Sequence, residues 1–271
     1  MPDPIKKYSF VRYLAVYGCF STGIIYAGIG VIAILSFLKV RDGGADESSL
    51  LAILNSHAIG KFFFWMIFLG TACYIVWRIF ETITDPYGYG RDATGIAKRA
   101  GIAMSTIPDA LIVFTAVQIL AGTGHIRLDG RPLEQREMVG SLLQKDGGDW
   151  MVVGIGIAVC ITAIAQFWYG ITKGYKERLD IGHFSRKFKN AIHFLAWAGY
   201  FARGIIVGII GVFFLKAGFS GFAEHIVNTD KAFDYIGDHV GHVYFILVAI
   251  GTICYGLFMF GHGVVYDADK D

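Results

Sequence analysis

The sequence predicts an all-α, polytopic membrane protein whose six transmembrane helices form three parallel-repeat hairpins in a pseudo-three-fold arrangement. Hydrophobic residues occupy 55% of the 271 positions and charged residues only 17%, so the chain is far more apolar than an ordinary soluble domain. Long apolar segments follow one another along the chain, and the first and last pairs of segments share one sequence pattern. These three observations predict the fold class.

Six apolar segments are long enough to cross a hydrocarbon core about 30 Å thick, which requires roughly 20 residues of helix. None shows the strict alternation of a barrel strand, so each is predicted to be a helix. Their approximate bounds are 13–38, 61–83, 102–122, 151–172, 191–215 and 242–266.

The Lys and Arg residues of the loops predict the orientation of the chain. The side with both termini carries 14 of the 24 Lys and Arg residues, the opposite side carries 9, and Arg203 lies within the fifth segment. Because cytoplasmic loops carry the excess of positive charge, both termini are expected in the cytoplasm. The lipid bilayer is then one partner. The net charge of +2 gives no reason to expect nucleic acid.

An internal repeat relates the first and last pairs of segments. YGCFSTGIIYAGIG in the first segment matches AGYFARGIIVGIIG in the fifth, with Gly18 and Gly199 separated by 181 positions. The same spacing aligns GTACYIVW in the second segment with GTICYGLF in the sixth, and a weaker middle copy covers the third and fourth. Such self-similarity indicates a repeat architecture. We therefore predict one membrane domain, 1–271, made of repeats 6–92, 93–180 and 181–271.

Amphipathic stretches occupy the connections before the second and sixth segments. DESSLLAILNSHAIG begins at Asp46, a suitable helix cap, and its leucines fall on one helical face. DKAFDYIGDHVG occupies the corresponding place in the third repeat. Helices of this kind are expected to lie along the outer interface of the membrane rather than cross it.

Three motifs resemble those of a known family. GYFARG at 199–204, YIVWR at 74–78 and DPYG at 85–88 are similar to the pattern of an uncharacterised bacterial membrane family, domain of unknown function 1206. The resemblance covers all three hairpins and implies a six-helix bacterial membrane protein with no established activity. The Arg of GYFARG is replaced by Thr22 in the first copy and Ser105 in the second, so a ring of three arginines is not expected.

Two ionisable residues lie inside predicted spans, where an unpaired charge is costly and therefore suggests function. Asp109 follows Pro108 and lies about 15 Å beyond Arg99 along a helix, near mid-membrane. Arg203 is about one turn nearer the cytoplasm. One hypothesis is an ion pair between Asp109 and Arg203 that gates or binds a small polar solute. In the alternative, Arg203 extends to the cytoplasmic interface while a protonated Asp109 bonds to a neighbouring helix.

Three further residues are candidates for ligand or ion-pair roles near the cytoplasmic end. Arg78 and Glu81 are three positions apart and share one face of the second helix. His262 is the position that the repeat makes equivalent to Glu81. A local surface pair, or contact with lipid headgroups, is the simpler interpretation of all three.

Motifs that would indicate an enzyme are missing: the sequence has no Gly-x-Ser-x-Gly, His-Glu-x-x-His or phosphate loop. We therefore do not predict an enzyme, and we expect neither a cofactor nor a metal. His193 with His262, or His57 with His239 and His242, are the sets of imidazoles that a membrane haem would require. Hydrogen bonding at headgroup level is the simpler interpretation of these histidines.

Two functional roles remain. The first is a non-enzymatic integral membrane subunit or scaffold of a bacterial inner-membrane assembly, with other membrane proteins as partners. The second is a small-solute or ion transporter or binding protein that uses Asp109 and Arg203. The first role is favoured, because only one acid and one Arg are predicted inside the spans, whereas coupled transporters have a richer polar lining.

Overall fold

The computed structural model of the protein describes residues 9–40, 44–85, 90–93, 95–96, 99–100, 103, 107–122, 130–173, 175 and 184–264. It is all-helical over these residues. The helices are α1 Ser9–Phe37, α2 Glu47–Ser56, α3 Ala58–Thr84, α4 Ile107–Ala121, α5 Leu133–Leu143, α6 Gly148–Thr172, α7 Arg186–Ser220, α8 Thr229–His239 and α9 His242–Val264. A short 3-10 turn, Ala223–His225, precedes α8.

Five of these helices are long and apolar enough to cross a membrane, so the chain is a multi-pass membrane protein. They are Val16–Phe37, Ala58–Thr84, Gly148–Thr172, Arg186–Ser220 and His242–Val264. The third predicted span, 102–122, is not confirmed. Its described helix is α4, which is 15 residues long, and residues 104–106 lie outside the described ranges.

Side-chain caps explain where several helices begin and end. Asp46 caps α2 by accepting a hydrogen bond from the Ser49 amide, so the predicted role of Asp46 is confirmed. Asn228 caps α8 and Ser185 caps α7 in the same way. At the carboxyl-terminal end of α3, the Arg99 guanidinium donates to the Thr82 carbonyl oxygen. The distance from Arg99 Nε to this oxygen is 2.9 Å. Each cap satisfies a backbone group that a helix terminus leaves without an intrahelical partner.

Glycines allow close packing within the first and last hairpins. Gly18 of α1 lies against the Tyr74 side chain of α3, and Gly199 of α7 lies against Tyr255 of α9. Small residues at such positions let helix backbones approach each other in a membrane. Gly18 and Gly199 are 181 positions apart, and so are Tyr74 and Tyr255. Residues that the repeat makes equivalent therefore form the same contact in both hairpins.

The long helices pack side by side in the order α4, α3, α1, α9, α7, α6. Helices α1 and α9 therefore connect the first hairpin to the last, while α6 packs against α7. Tyr26 of α1 and Tyr255 of α9 meet at this central interface in an edge-to-face contact with centroids 5.0 Å apart. We call the end of the bundle at which α1 and α7 terminate the far side.

The amphipathic helices α2 and α8 pack into the bundle core on the far side. Leu50 and Leu51 of α2 and Phe233 of α8 belong to one buried apolar cluster with residues of α1, α3, α4, α7 and α9. Leu50 lies against Gly28, which is about 14 Å from the end of α1. Their apolar faces therefore contact protein, and the expectation that these helices lie along the membrane interface stays a prediction.

We predict that Gly199→Ala will destabilise the protein. A Cβ at this position would lie 2.6 Å from the Tyr255 Cα, so α7 and α9 would have to separate. Overpacking of this kind costs about 1–3 kcal/mol. The measurement is the melting temperature of the purified variant in mild detergent.

Gly154→Ala is the matched control, because a Cβ there meets nothing within 4 Å. This variant should melt at or slightly above the temperature of the unmodified protein, since alanine favours helix over glycine. Equal melting temperatures for the two variants would show that the contact between α7 and α9 does not limit stability.

Candidate functional site

Hydrogen bonds between helix caps join α2 and α8 on the far side. Asn228 Nδ2 donates to Asp46 Oδ2 at 3.0 Å, so the residue that caps one helix binds the residue that caps the other. Asn228 Nδ2 also donates to the Gly130 carbonyl oxygen at 3.0 Å, which adds the connection before α5. We call this assembly the far-side junction; it comprises Gly44, Ala45, Asp46, Glu47, Gly130, Asn228, Thr229 and Asp230.

Asp230 ties the same three connections together. Its Oδ1 accepts a hydrogen bond from the Ala45 amide at 2.6 Å, and Oδ2 lies 3.3 Å from Lys231 Nζ. Gly130 lies against both Asp230 and Gly44, so closely that a Cβ at Gly130 would overlap the Asp230 carboxyl group. Gly130 also has φ +67°, a conformation that favours glycine. The junction therefore depends on glycine for its close packing.

Glu47 lies at the first turn of α2 and contacts α8. Thr229 Oγ1 lies 3.2 and 3.3 Å from the two carboxylate oxygens of Glu47, to which it donates. The residue keeps part of its surface exposed, but its carboxyl group is enclosed by surrounding atoms. Burial, followed by the neighbouring charge of Asp46, raises the pKa of Glu47 to about 7; the Thr229 hydrogen bond and the positive charge of Arg203 oppose this shift.

The other two carboxyl groups of the junction are also destabilised in their charged forms. Burial raises the pKa of Asp230 to about 6 despite the hydrogen bond from the Ala45 amide. Burial raises the pKa of Asp46 above its usual value, against the hydrogen bonds from Ser49 and Asn228. Three enclosed carboxyl groups thus share one junction. In the described part of the chain, no group of three or more His, Cys, Asp or Glu side chains is placed to hold a metal ion.

Arg203 of α7 lies beneath the junction, between α1 and α9. Its guanidinium carbon lies 4.9 Å from the Tyr26 ring centroid and 5.0 Å from that of Tyr255. Nη1 also donates a hydrogen bond to the Tyr255 hydroxyl group. Tyr26 is about 17 Å from the end of α1 along the helix axis, so the guanidinium group lies well inside the bundle. Cation–π contacts and the hydrogen bond stabilise the charge at this depth.

Polar aromatic side chains continue from Arg203 toward the other end of the bundle. The Tyr200 ring lies 5.4 Å from Tyr255 and 6.1 Å from Tyr175. The Tyr175 hydroxyl group donates to the His193 carbonyl oxygen at 3.5 Å. At the same end, Cys19 Sγ lies 3.4 Å from His262 Nδ1. We call this group the inner aromatic cluster; it comprises Cys19, Tyr169, Tyr175, His193, Tyr200, Phe258 and His262.

The five residues predicted as site candidates lie in different places. Arg203 is central, His262 belongs to the inner aromatic cluster, and Arg78 packs over the Tyr74 ring at 4.9 Å. The side chains of Asp109 and Glu81 lie outside the described residues, although their backbones belong to α4 and α3. The proposed pair between Asp109 and Arg203, and that between Arg78 and Glu81, therefore stay predictions.

The far-side junction was not predicted from the sequence as a site. Asp46 was recognised only as a cap, and Glu47, Asn228, Thr229 and Asp230 were not singled out. One signal was present: ADES at 45–48 and VNTD at 227–230 both precede an amphipathic stretch in equivalent connections. Two acid-containing caps at equivalent positions of two repeats could have indicated that they meet.

We predict that Asn228→Ala will cost more stability than Ser185→Ala. Both changes remove a helix cap, which costs about 0.5–2 kcal/mol. Asn228→Ala also removes a buried donor from Asp46 and Gly130, which adds about 1–3 kcal/mol. Ser185 caps α7 alone and is therefore the matched control. Equal losses of melting temperature in the two variants would contradict a bridging role for Asn228.

We predict that the melting temperature of the protein will fall as the pH rises from about 4.5 to about 7. A carboxyl group whose pKa is raised by folding binds a proton more tightly in the folded state, so the stability that the proton contributes is lost as it dissociates. Glu47→Gln should melt at a higher temperature than the unmodified protein near pH 8 and should depend less on pH. Glu137→Gln on the exposed face of α5 should leave the pH profile unchanged.

Comparison with known proteins relates both described hairpins to one family. The model of the family described as "Domain of Unknown Function (DUF1206)" matches residues 17–85 and 198–265, together about half of the chain. The chain is also 24% identical over 263 residues to "Uncharacterized protein YxxB" of Bacillus subtilis (strain 168), covering 96% of this chain and 90% of that protein. No solved structure matches the chain. The chain therefore belongs to the DUF1206 family.

Proposed function

We propose that the protein binds a small polar solute or ion and moves it along the axis of the bundle. The observation that carries this proposal is the position of Arg203 between two polar groups of residues, the far-side junction and the inner aromatic cluster. A charged side chain near mid-membrane is costly to maintain and is typically used for a substrate or ion pathway.

The junction supplies buried polar groups that the sequence did not predict. Asp46, Asn228, Thr229 and Asp230 are each at most 8% exposed, and Glu47 senses the charge of Arg203. Together they form a buried polar group of residues on the far side of the bundle. These buried polar groups favour the transport or binding role over the scaffold role, because the scaffold role was favoured on the expectation of a nearly apolar interior.

The proposal includes an arrangement of six spanning helices as three hairpins, with α4 as part of the third span. Its support is that the connections before α2, α5 and α8 all meet in the far-side junction. The predicted orientation places the termini in the cytoplasm and the junction toward the cell exterior. An Asp109 carboxylate facing Arg203 would complete the path at mid-membrane.

A non-enzymatic role as a membrane subunit or scaffold is the second candidate. Helix α6 packs against α7 with one face and leaves large apolar side chains exposed elsewhere, including Ile161 at 60% and Trp168 at 68%. A protein partner could contact this surface in place of lipid. Purification of the tagged protein from native membranes distinguishes the two candidates.

We predict that a small polar molecule co-purifies with the tagged protein extracted from native membranes in mild detergent. Mass spectrometry would identify proteins and small molecules in the same eluate, and a pH-sensitive dye in proteoliposomes would report proton flux. Arg203→Gln should lower the retained molecule or the flux at least about tenfold, which corresponds to about 1.4 kcal/mol of binding free energy. Arg203→Lys keeps the charge and tests whether the guanidinium geometry is required.

Lys216→Gln is the control, because Lys216 is an exposed cation near the far end of the same helix. Retention and flux should be unchanged in this variant. If the unmodified protein yields neither a bound small molecule nor proton flux, or if Arg203→Gln retains full activity, the transport proposal is wrong. A stoichiometric protein partner without either signal would support the scaffold role.

A further inference from the structure

We propose that the far-side junction is a proton-controlled gate: proton uptake holds the three connections together in the closed arrangement, and proton release favours their separation. This inference rests on the proposed function and adds its regulation. No motif in the sequence indicates such a gate.

The junction is built almost entirely from contacts between different hairpins. Ala45 donates to Asp230, Asn228 donates to Asp46 and Gly130, and Thr229 donates to Glu47. Each of these hydrogen bonds joins parts of the chain at least 98 positions apart. If they break together, α2 and α8 are released from one another, while the long helices keep their own packing. The junction therefore has the connectivity of a gate.

Within the described contacts, one of the three carboxyl groups of the junction, that of Asp230, has a short ion pair. On α8, Lys231 Nζ lies 3.3 Å from Asp230 Oδ2 and 2.6 Å from Asp234 Oδ2. The positive charge of Lys231 is therefore divided between two carboxylates. On α7, Arg203 acts on Glu47 from a distance. Arg131, exposed, follows Gly130 in the chain, and the side chain of Asp109 on α4 lies outside the described residues. Two enclosed carboxyl groups thus lack a short ion pair within the described contacts: Asp46 and Glu47.

Proton linkage then determines which state a proton favours. In the closed junction the carboxyl groups are enclosed and repel one another, so the pKa values of Glu47 and Asp230 are about 7 and about 6. In an open, hydrated junction they would return to ordinary carboxyl values near 4. The closed state therefore binds protons more tightly, and low pH favours it. Raising the pH through about 6–7 removes this preference.

Amide hydrogen exchange read by mass spectrometry tests the gate on the full chain in lipid nanodiscs. Exchange would be compared at about pH 5 and about pH 8, after correction for the intrinsic pH dependence of exchange. We expect the protection of segments 44–50 and 228–233 to fall at least about tenfold at the higher pH. Segment 162–172 of α6, which lies at the opposite end of the bundle where Gly170 contacts Tyr200, should keep its protection and serves as the internal control.

The double variant Glu47→Gln with Asp230→Asn should show the same junction protection at both pH values, because its side chains do not titrate. Equal protection of the unmodified junction at both pH values would overturn the gate. A pH effect that persists undiminished in the double variant would also overturn it. If that variant does not fold, Glu47→Gln alone must reduce the pH effect. The experiment needs no transported solute, so its failure is distinguishable from failure of the transport proposal.

Discussion

The hydrogen bond that the Asn228 cap donates to the Asp46 cap is the interaction on which the far side of the bundle depends. A helix amino terminus leaves amide donors without intrahelical partners, and these must be satisfied wherever water is excluded. The Asp46 and Asn228 side chains each accept a hydrogen bond from one such amide, in α2 and α8 respectively. The second polar atom of each side chain forms the hydrogen bond that joins the two helices. Burial of Leu50, Leu51 and Phe233 is possible because the polar ends of these helices have partners inside the protein.

The placement of charge follows from the same constraint. Acidic side chains near helix amino termini are favoured by the helix dipole, which explains why Asp46, Glu47 and Asp230 occur in the first turns of α2 and α8. The far-side junction therefore has a structural reason to contain carboxyl groups. Their enclosure gives them chemistry that a solvent-exposed cap lacks, and Arg203 brings the opposite charge to the middle of the bundle.

Hydropathy predicted the helical class and the multi-pass membrane character, and the repeat spacing placed equivalent glycines at equivalent contacts. The family was predicted from the resemblance of three motifs, GYFARG, YIVWR and DPYG. The position of α2 and α8 could not be predicted, because an apolar helical face does not reveal whether it meets lipid headgroups or protein. Arg203 was identified from its charge inside a span, whereas Glu47 and Asp230 were missed because polar connections are usually solvated. Asp109 stays a prediction, since only its backbone is among the described residues.

The distance in sequence between Asp46 and Asn228, 182 positions, has a consequence for how the protein is made. During synthesis at about 5–20 residues per second, the first connection waits about 10–40 s before its partner is available. Throughout that interval α2 has no α8 to pack against, and the carboxyl groups of Asp46 and Glu47 remain hydrated. The first hairpin can enter the membrane early, but its connection can reach its final environment only after the last hairpin has been inserted. Maturation of the far side is therefore a late, post-insertion event.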